Sequence, residues 1–409
     1  MAEELLNVKG EILQSGVFPG LPNQQVPLWK QANNFVFKEA SAKVSGAHLP
    51  LFDKGSSLAG LGVLPVNNTG SPALVWGSRE ALYRGLVSPV TVDVTRVAGA
   101  YTGTDSDTWS IVQFGQSILA TNGIDEIQYL VDVATTANFV NLSSVSDLRA
   151  DFRCKILVST GAYILAFNTD NTNTEYIWCT EDDLTVWLPN AGNSARDIQV
   201  RDLGSDIVAV TELGALNLIY GRDQVHIFAF TNAPIYFPNE HLIDGIGAVS
   251  KHAIVQVGRQ HFGFGSNGLF TMDGSSFEYI SDPAVHRYIF QENYDDSKSD
   301  RVVVWSDQDE GMVYFSFPTE EAGLTVGFNY HTGAWSTFDW YRTAASPGGL
   351  WKHAVMVDSV GQVWLQGHTD SAITSPGNAM GLDDLAILTT GYGEGGYGEG
   401  GYGGYWEVE

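Results

Sequence analysis

Cysteine is nearly missing from this sequence: Cys154 and Cys179 are the only two in 409 residues. That excludes a disulfide framework and a four-cysteine zinc site. Both lie in or beside apolar strands (RCKILV and YIWCT), where a buried free thiol is the expected state. Basic residues are scarce as well, with 21 Lys plus Arg against 47 Asp plus Glu and a formal net charge of -26. An acidic surface repels phosphate backbones, which argues against sequence-specific DNA reading. Two roles remain for the charge: solubility, or a wall that does not hold a passing polyanion. No apolar run reaches the roughly 18 residues that a spanning helix needs, so no membrane-spanning segment is expected. MAEELLNVKGEILQSGVF lacks the basic-then-apolar order of a signal peptide. H-E-x-x-H, G-x-S-x-G, P-loop and C-x-x-C motifs are missing too, so no catalytic residue, metal or cofactor is expected. Helix signals reduce to SDPAVHRYIFQENY, with Ser281 or Asp282 as N-cap, Pro283 at the first helical position, and Val285, Tyr288 and Ile289 on one face.

What the chain has is glycine and aromatics: 45 Gly, 20 Phe, 17 Tyr and 11 Trp. That mixture favours strands and turns over helices. Residues 197–230 and 252–280 each hold short apolar strands broken by Gly-Arg-Asp, Gly-Arg-Gln or Ser-Asn-Gly, which supply turn-compatible backbone. The same unit recurs at 72–98, 108–133, 150–188 and 301–340, with a partial copy at 352–370. A spacing of roughly 40 to 50 residues fits an all-β fold, a β-propeller of six or seven four-stranded blades. A solenoid would show a tighter period and distinct caps. Three regions follow: an N-terminal arm and hairpin (1–60), the propeller (61–375) and a Gly-Tyr-Glu-rich tail (376–409).

In the hairpin NNFVFKEASAKVSG, Phe35, Phe37 and Val44 are expected to face a core. The arm before it either packs along its own domain or reaches a neighbouring subunit. The tail TTGYGEGGYGEGGYGGYWEVE has too few apolar side chains to offset the entropy lost on ordering glycine. Its aromatics are nevertheless regularly placed anchors. Inter-subunit contacts are therefore expected at Trp29, Phe35, Phe37, Tyr392, Tyr397, Tyr402, Tyr405 and Trp406.

Carboxylates cluster in TEDD (180–183), NYDDSKSD (293–300) and SDQDEG (306–311). Paired carboxylates serve glycoside hydrolysis, and several hard oxygens bind calcium. Each cluster sits between strand candidates, however, where solvated turn residues are the simpler expectation. His226, His252 and His261 fall within strands or at their ends, the usual setting of structural histidines. Arg222 and Arg259 are rare cations expected to pack their stems beside a blade with the head in water, or to meet a neighbour.

The motifs, taken in order, are similar to one family. TWSIVQFGQSILATNGIDEIQYL resembles the W-x-x-x-x-F-G-x-x-I-x-A-T-N-G-x-D-x-x-Q stretch of tail proteins from short-tailed, double-stranded DNA bacteriophages. LWKQANNFVFKEASAKVSG precedes it. YIWCTEDDLTVWLP, LGALNLIYGRDQVHIFAFTNAPIYF, VQVGRQHFGFGSNGLFTMDG and GFNYHTGAWSTF follow. From about residue 29 to residue 370 the chain resembles the tail nozzle, or phage stabilisation, family, without the long insertions of its larger members. The resemblance implies a propeller-containing, non-enzymatic virion protein of the tail. It implies a ring, commonly a homo-hexamer, beneath the adaptor (head-to-tail connector) below the portal. Such a ring closes or continues the DNA ejection channel and offers attachment to tail fibre or spike proteins. Two other functions stay open: a carbohydrate-binding or glycoside-hydrolysing propeller that recognises host glycans, and a minor capsid or head-completion protein.

Overall fold

The computed structural model describes residues 35–38, 41–44, 48–68, 71–87, 89–214, 216–231, 236–346 and 353–366. Within them each apolar run pairs antiparallel with the next along the chain, because a short turn leaves no other partner in reach. The outcome is seven four-stranded sheets arranged as a seven-bladed β-propeller, with one separate two-stranded hairpin. The innermost strands are Gly62–Asn68, Ser110–Phe114, Cys154–Thr160, Ala209–Leu213, Ile254–Val257, Val303–Asp307 and Ala344–Ser346, which open blades 1 to 7 in turn. Each touches the inner strands of both neighbouring blades, and the ring closes where Ala344–Ser346 meets Gly62–Asn68.

The same turn recurs between first and second strands. Gly115, Gly161, Gly214 and Gly258 all take positive φ there, from 56° to 66°, where a side chain would be strained. This turn makes the repeat visible in the sequence.

Blade 7 joins the two ends of the described chain. Its three later strands, Ala344–Ser346, Val355–Val357 and Val363–Leu365, are completed by Leu49–Phe52, with Leu49 opposite Leu365. That outer strand falls in the segment assigned from sequence to the N-terminal arm. Pairing across more than 300 positions cannot be read from a local pattern. Residues 48 and 366 consequently leave the ring side by side.

Two further boundaries differ from expectation. Arg196–Gln199 is the outer strand of blade 3, not the start of blade 4. It is only half-buried, and the polar loop 179–195 separates it from its sheet. Blade 4 is completed by Asn239–Asp244, inside the Pro-containing spacer. Outer strands have one solvated edge and little apolar alternation, so they give the weakest signal.

The core lies between blades. Tyr163–Thr169 is buried at every position, and Phe167 stacks on Tyr176 at 4.8 Å. Each large side chain so buried contributes roughly 1.5 to 3 kcal/mol. The helix starts as expected: the Asp282 carboxylate accepts from Ala284 N (2.8 Å) and Val285 N (2.9 Å), and Pro283 opens Pro283–His286. It continues as a π-helical turn, Arg287–Asn293, and Val285 of the helix and Ile289 of the turn are buried in a cluster shared with blades 4, 5 and 6. The hairpin Phe35–Lys38 with Ser41–Val44 contacts Trp335–Phe338 of blade 6, and Val36 is buried beside Trp305 and Phe338. Among the described residues no helix is long and apolar enough to cross a membrane.

Candidate functional site

Polar groups converge on the middle of the ring at one end. Lys251 and His252 stand just before the inner strand of blade 5, and Thr108 and Trp109 just before that of blade 2. Blades 2 and 5 are three places apart in a ring of seven, the largest separation available, so a contact between them has to cross the centre. Lys251 Nζ donates to the Thr108 carbonyl and, at 3.1 Å, to the Lys155 carbonyl of blade 3. His252 Nε2–H donates to the Trp109 carbonyl at 3.0 Å. The Ser250 hydroxyl fixes the same segment to the Val302 carbonyl at 2.6 Å, and Val304 N donates to the His252 carbonyl at 2.8 Å. Asp105, on the long loop into blade 2, lies 3.5 Å from Arg79 of blade 1 and 3.7 Å from Arg301, which leads into blade 6.

Burial brings the Lys251 ammonium down to about 8, with Lys155 adding to the effect and Asp107 and Asp300 opposing it. Burial, then the charge of Lys251, pushes His252 down to about 3, so its ring is neutral and its N–H is available to donate. Lys251 and His252 both keep part of their surface facing solvent. Side chains that meet at the centre of a ring are surrounded by protein laterally yet keep contact with solvent at the end where they stand, which accounts for both observations. No local motif announces this cluster. The one sequence signal is a Lys-His pair ahead of an apolar strand, and it is not distinctive, since Lys352-His353 repeats it.

The residues that carry the family resemblance make a different assembly, at the junction of blades 1 and 2. Trp109 is 1% exposed and donates its indole N–H to the Ser78 carbonyl at 2.8 Å. It lies so close to blade 1 that a Cβ on Gly62 or Gly77 would stand 2.6 or 2.5 Å from its atoms. Tyr101 meets it edge-on at 4.8 Å, and the Tyr101 hydroxyl donates to Gln128 Oε1 at 3.2 Å. Asn122 caps its turn by accepting from Ile124 N and Asp125 N, and donates to Asp125. Burial raises the Asp125 carboxyl, but the Thr102 N–H, Asn122 and Arg96 outweigh it and hold it below the ordinary range. Arg96 reaches it at 2.8 Å.

A third polar group stands at the closure of blade 7. Arg342 lies 5.2 Å from the rings of both Trp340 and Trp364 and donates to His48 Nδ1 at 2.6 Å.

The other sequence candidates resolve as local structure. Asp183 accepts from Thr185 N, Asp295 caps the turn at Ser297 and pairs with Lys298 at 2.7 Å, and Asp307 accepts from Asp309 N and Glu310 N. Asp307 stands out because burial and repulsion from Glu310 and Asp309 raise it to about 6. His261 bridges blades 4 and 5: its Nε2–H donates to the Glu212 carbonyl at 2.6 Å, and Nδ1 accepts from the Tyr220 hydroxyl at 2.7 Å. His226 is buried within Gln224–Phe228, edge-on to His241 at 5.3 Å. Cys154 and Cys179 are free and buried, and burial lifts their thiols to about 12 and about 11. Arg222 and Arg259 are exposed. No group of three or more His, Cys, Asp or Glu among the described residues is arranged to hold a metal ion. Of the expected inter-subunit residues, Trp29, Tyr392, Tyr397, Tyr402, Tyr405 and Trp406 lie outside the described residues. So do the side chains of Phe35 and Phe37, whose backbones form Phe35–Lys38.

No family model matches the chain, and no curated protein matches it. Solved structures do resemble it. One is PorZ, an essential surface component of the type-IX secretion system of Porphyromonas gingivalis, at 12% identity and TM-score 0.45 over 81% of this chain. This chain spans 40% of that one. Another is BBS1N in complex with ARL6DN, at 12% identity and TM-score 0.46, with 80% of this chain and 99% of that chain covered. Likeness at this level carries no argument about function.

Proposed function

We propose that this chain is a structural, non-enzymatic subunit of a short bacteriophage tail. Six copies form a nozzle ring beneath the adaptor that continues or closes the DNA ejection channel and supports fibres or spikes. One observation carries this reading. Trp109, Asn122, Asp125 and Gln128, the residues of the stretch that resembles tail proteins, are spent on fastening blade 2 to blade 1 and to the loop between them, so that stretch forms a rigid framework, as a tail wall requires.

Charge distribution supports it as well. The turns joining first to second and third to fourth strands lie at one end of the ring. Among the described residues they carry Asp132, Glu181, Asp182, Asp183, Asp273, Asp309 and Glu310, with Arg259 as their only Lys or Arg. An end so acidic suits a surface past which a polyanion slides without backbone neutralisation. In a closed ring each subunit uses two different faces, one for each neighbour.

Native mass measurement of the full chain tests the assembly, with a ring of six copies as the expected species. A chain that stays monomeric at high concentration while binding or cleaving host glycans overturns the proposal in favour of the carbohydrate-active alternative.

A further inference from the structure

We propose that the Lys251–His252 segment, with the Asp105–Arg301 pair, is an axial seal that turns each propeller from a perforated ring into a solid wall element. A propeller has an intrinsic hole, because the inner strand of every blade leaves one edge uncovered by any other strand. The carbonyls of Thr108, Trp109 and Lys155 sit where these inner strands begin, and such groups need partners. Here the partners come from blade 5: Lys251 for the Thr108 carbonyl of blade 2, three places away, and the Lys155 carbonyl of blade 3, two places away, and His252 for the Trp109 carbonyl of blade 2. Arg301 and Asp105 add a tie between blades 2 and 6, again three places apart.

The residue types suit the task. Lysine places three donors on a long stem, so one side chain reaches two blades at once. The neutral histidine offers its N–H without adding a second charge to the cluster. Keeping an ammonium in partly desolvated surroundings is costly, and the lowered lysine value registers that cost. Anything conducted by an assembly of this chain therefore passes between copies, never through one. That consequence rests on the proposed ring; the seal itself does not.

Limited acylation of the native full chain at pH 8, read by peptide mass, tests the seal alone. Lys54 is exposed and serves as the reference. The seal predicts that Lys251 reacts at least about 10-fold more slowly than Lys54. Its low proton affinity sharpens the test, because a reachable Lys251 would be among the fastest amines to react. In the double variant Asp105→Asn/His252→Ala, Lys251 should rise to the Lys54 rate while the buried thiol of Cys179 stays unreactive, showing intact blades. Lys251 reacting as fast as Lys54 in the native chain overturns the proposal, and so does unchanged protection in the folded variant. If the variant unfolds, so that Cys179 reacts, the native ratio decides alone. A native chain with a protected Lys251 that forms no ring would keep the seal and remove the tail reading.

Discussion

The blade 1–2 junction and the cross-axis cluster are both polar, both partly buried, and built on different sequence logic. The junction draws Ser78, Arg96, Tyr101, Trp109, Asn122, Asp125 and Gln128 from about one blade's length of chain. The axis draws Arg79, Asp105, Lys155, Lys251 and Arg301 from five blades. Local assemblies leave a motif, because their residues keep fixed spacing. Assemblies across a ring leave none, because any blade length is compatible with them. Motif matching finds the framework and passes over the closure of the hole.

Acid should produce the largest effect and separate the two regions. Burial holds His48, His252 and His261 at about 3, 3 and 4, below the ordinary 6.5 of an unfolded chain. Between those values the unfolded chain binds more protons, so stability is lost as the pH falls from 6.5 toward 4. Each of the three adds at most about one proton to the slope in that window. Asp307, raised to about 6, works in the opposite direction as pH falls from 6 toward 3.8. Urea midpoints across this range should show the loss, and His252→Asn should lower the slope by about one proton. Junction carboxylate Asp125 is held below its ordinary range, so its contribution goes only at lower pH.

At neutral pH the order of effects should favour the junction. Trp109→Ala removes a large, fully buried side chain and should cost about 3 to 5 kcal/mol in urea unfolding. Asp125→Ala leaves Arg96 and the Thr102 N–H without their acceptor and should cost about 3 kcal/mol. On the axis, His252→Ala leaves one carbonyl without its donor, for about 1 to 2 kcal/mol. Asp105→Asn loosens a part-exposed pair and should cost less than about 1 kcal/mol. Were His252→Ala to cost more than Trp109→Ala, the axis and not the junction would be the stronger fastening.

Much of the fold was legible for physical reasons. Glycine turns at a fixed place in the repeat, together with buried second and third strands such as Tyr163–Thr169, mark the blades directly. Outer strands such as Arg196–Gln199 and Leu49–Phe52 were not legible, since solvated edges lack alternation and ring closure is non-local. The buried state of both cysteines and the turn roles of the acidic clusters follow from local sequence. Lys251 could be noticed in VSKHAIV, but its two acceptors could not be guessed.

Particle imaging of the purified full chain tests the central claim most directly. The account predicts a closed ring of copies around one opening, with each propeller filled on its own axis at the level of Lys251. Separate propellers, each with an open hole along its axis, would contradict it.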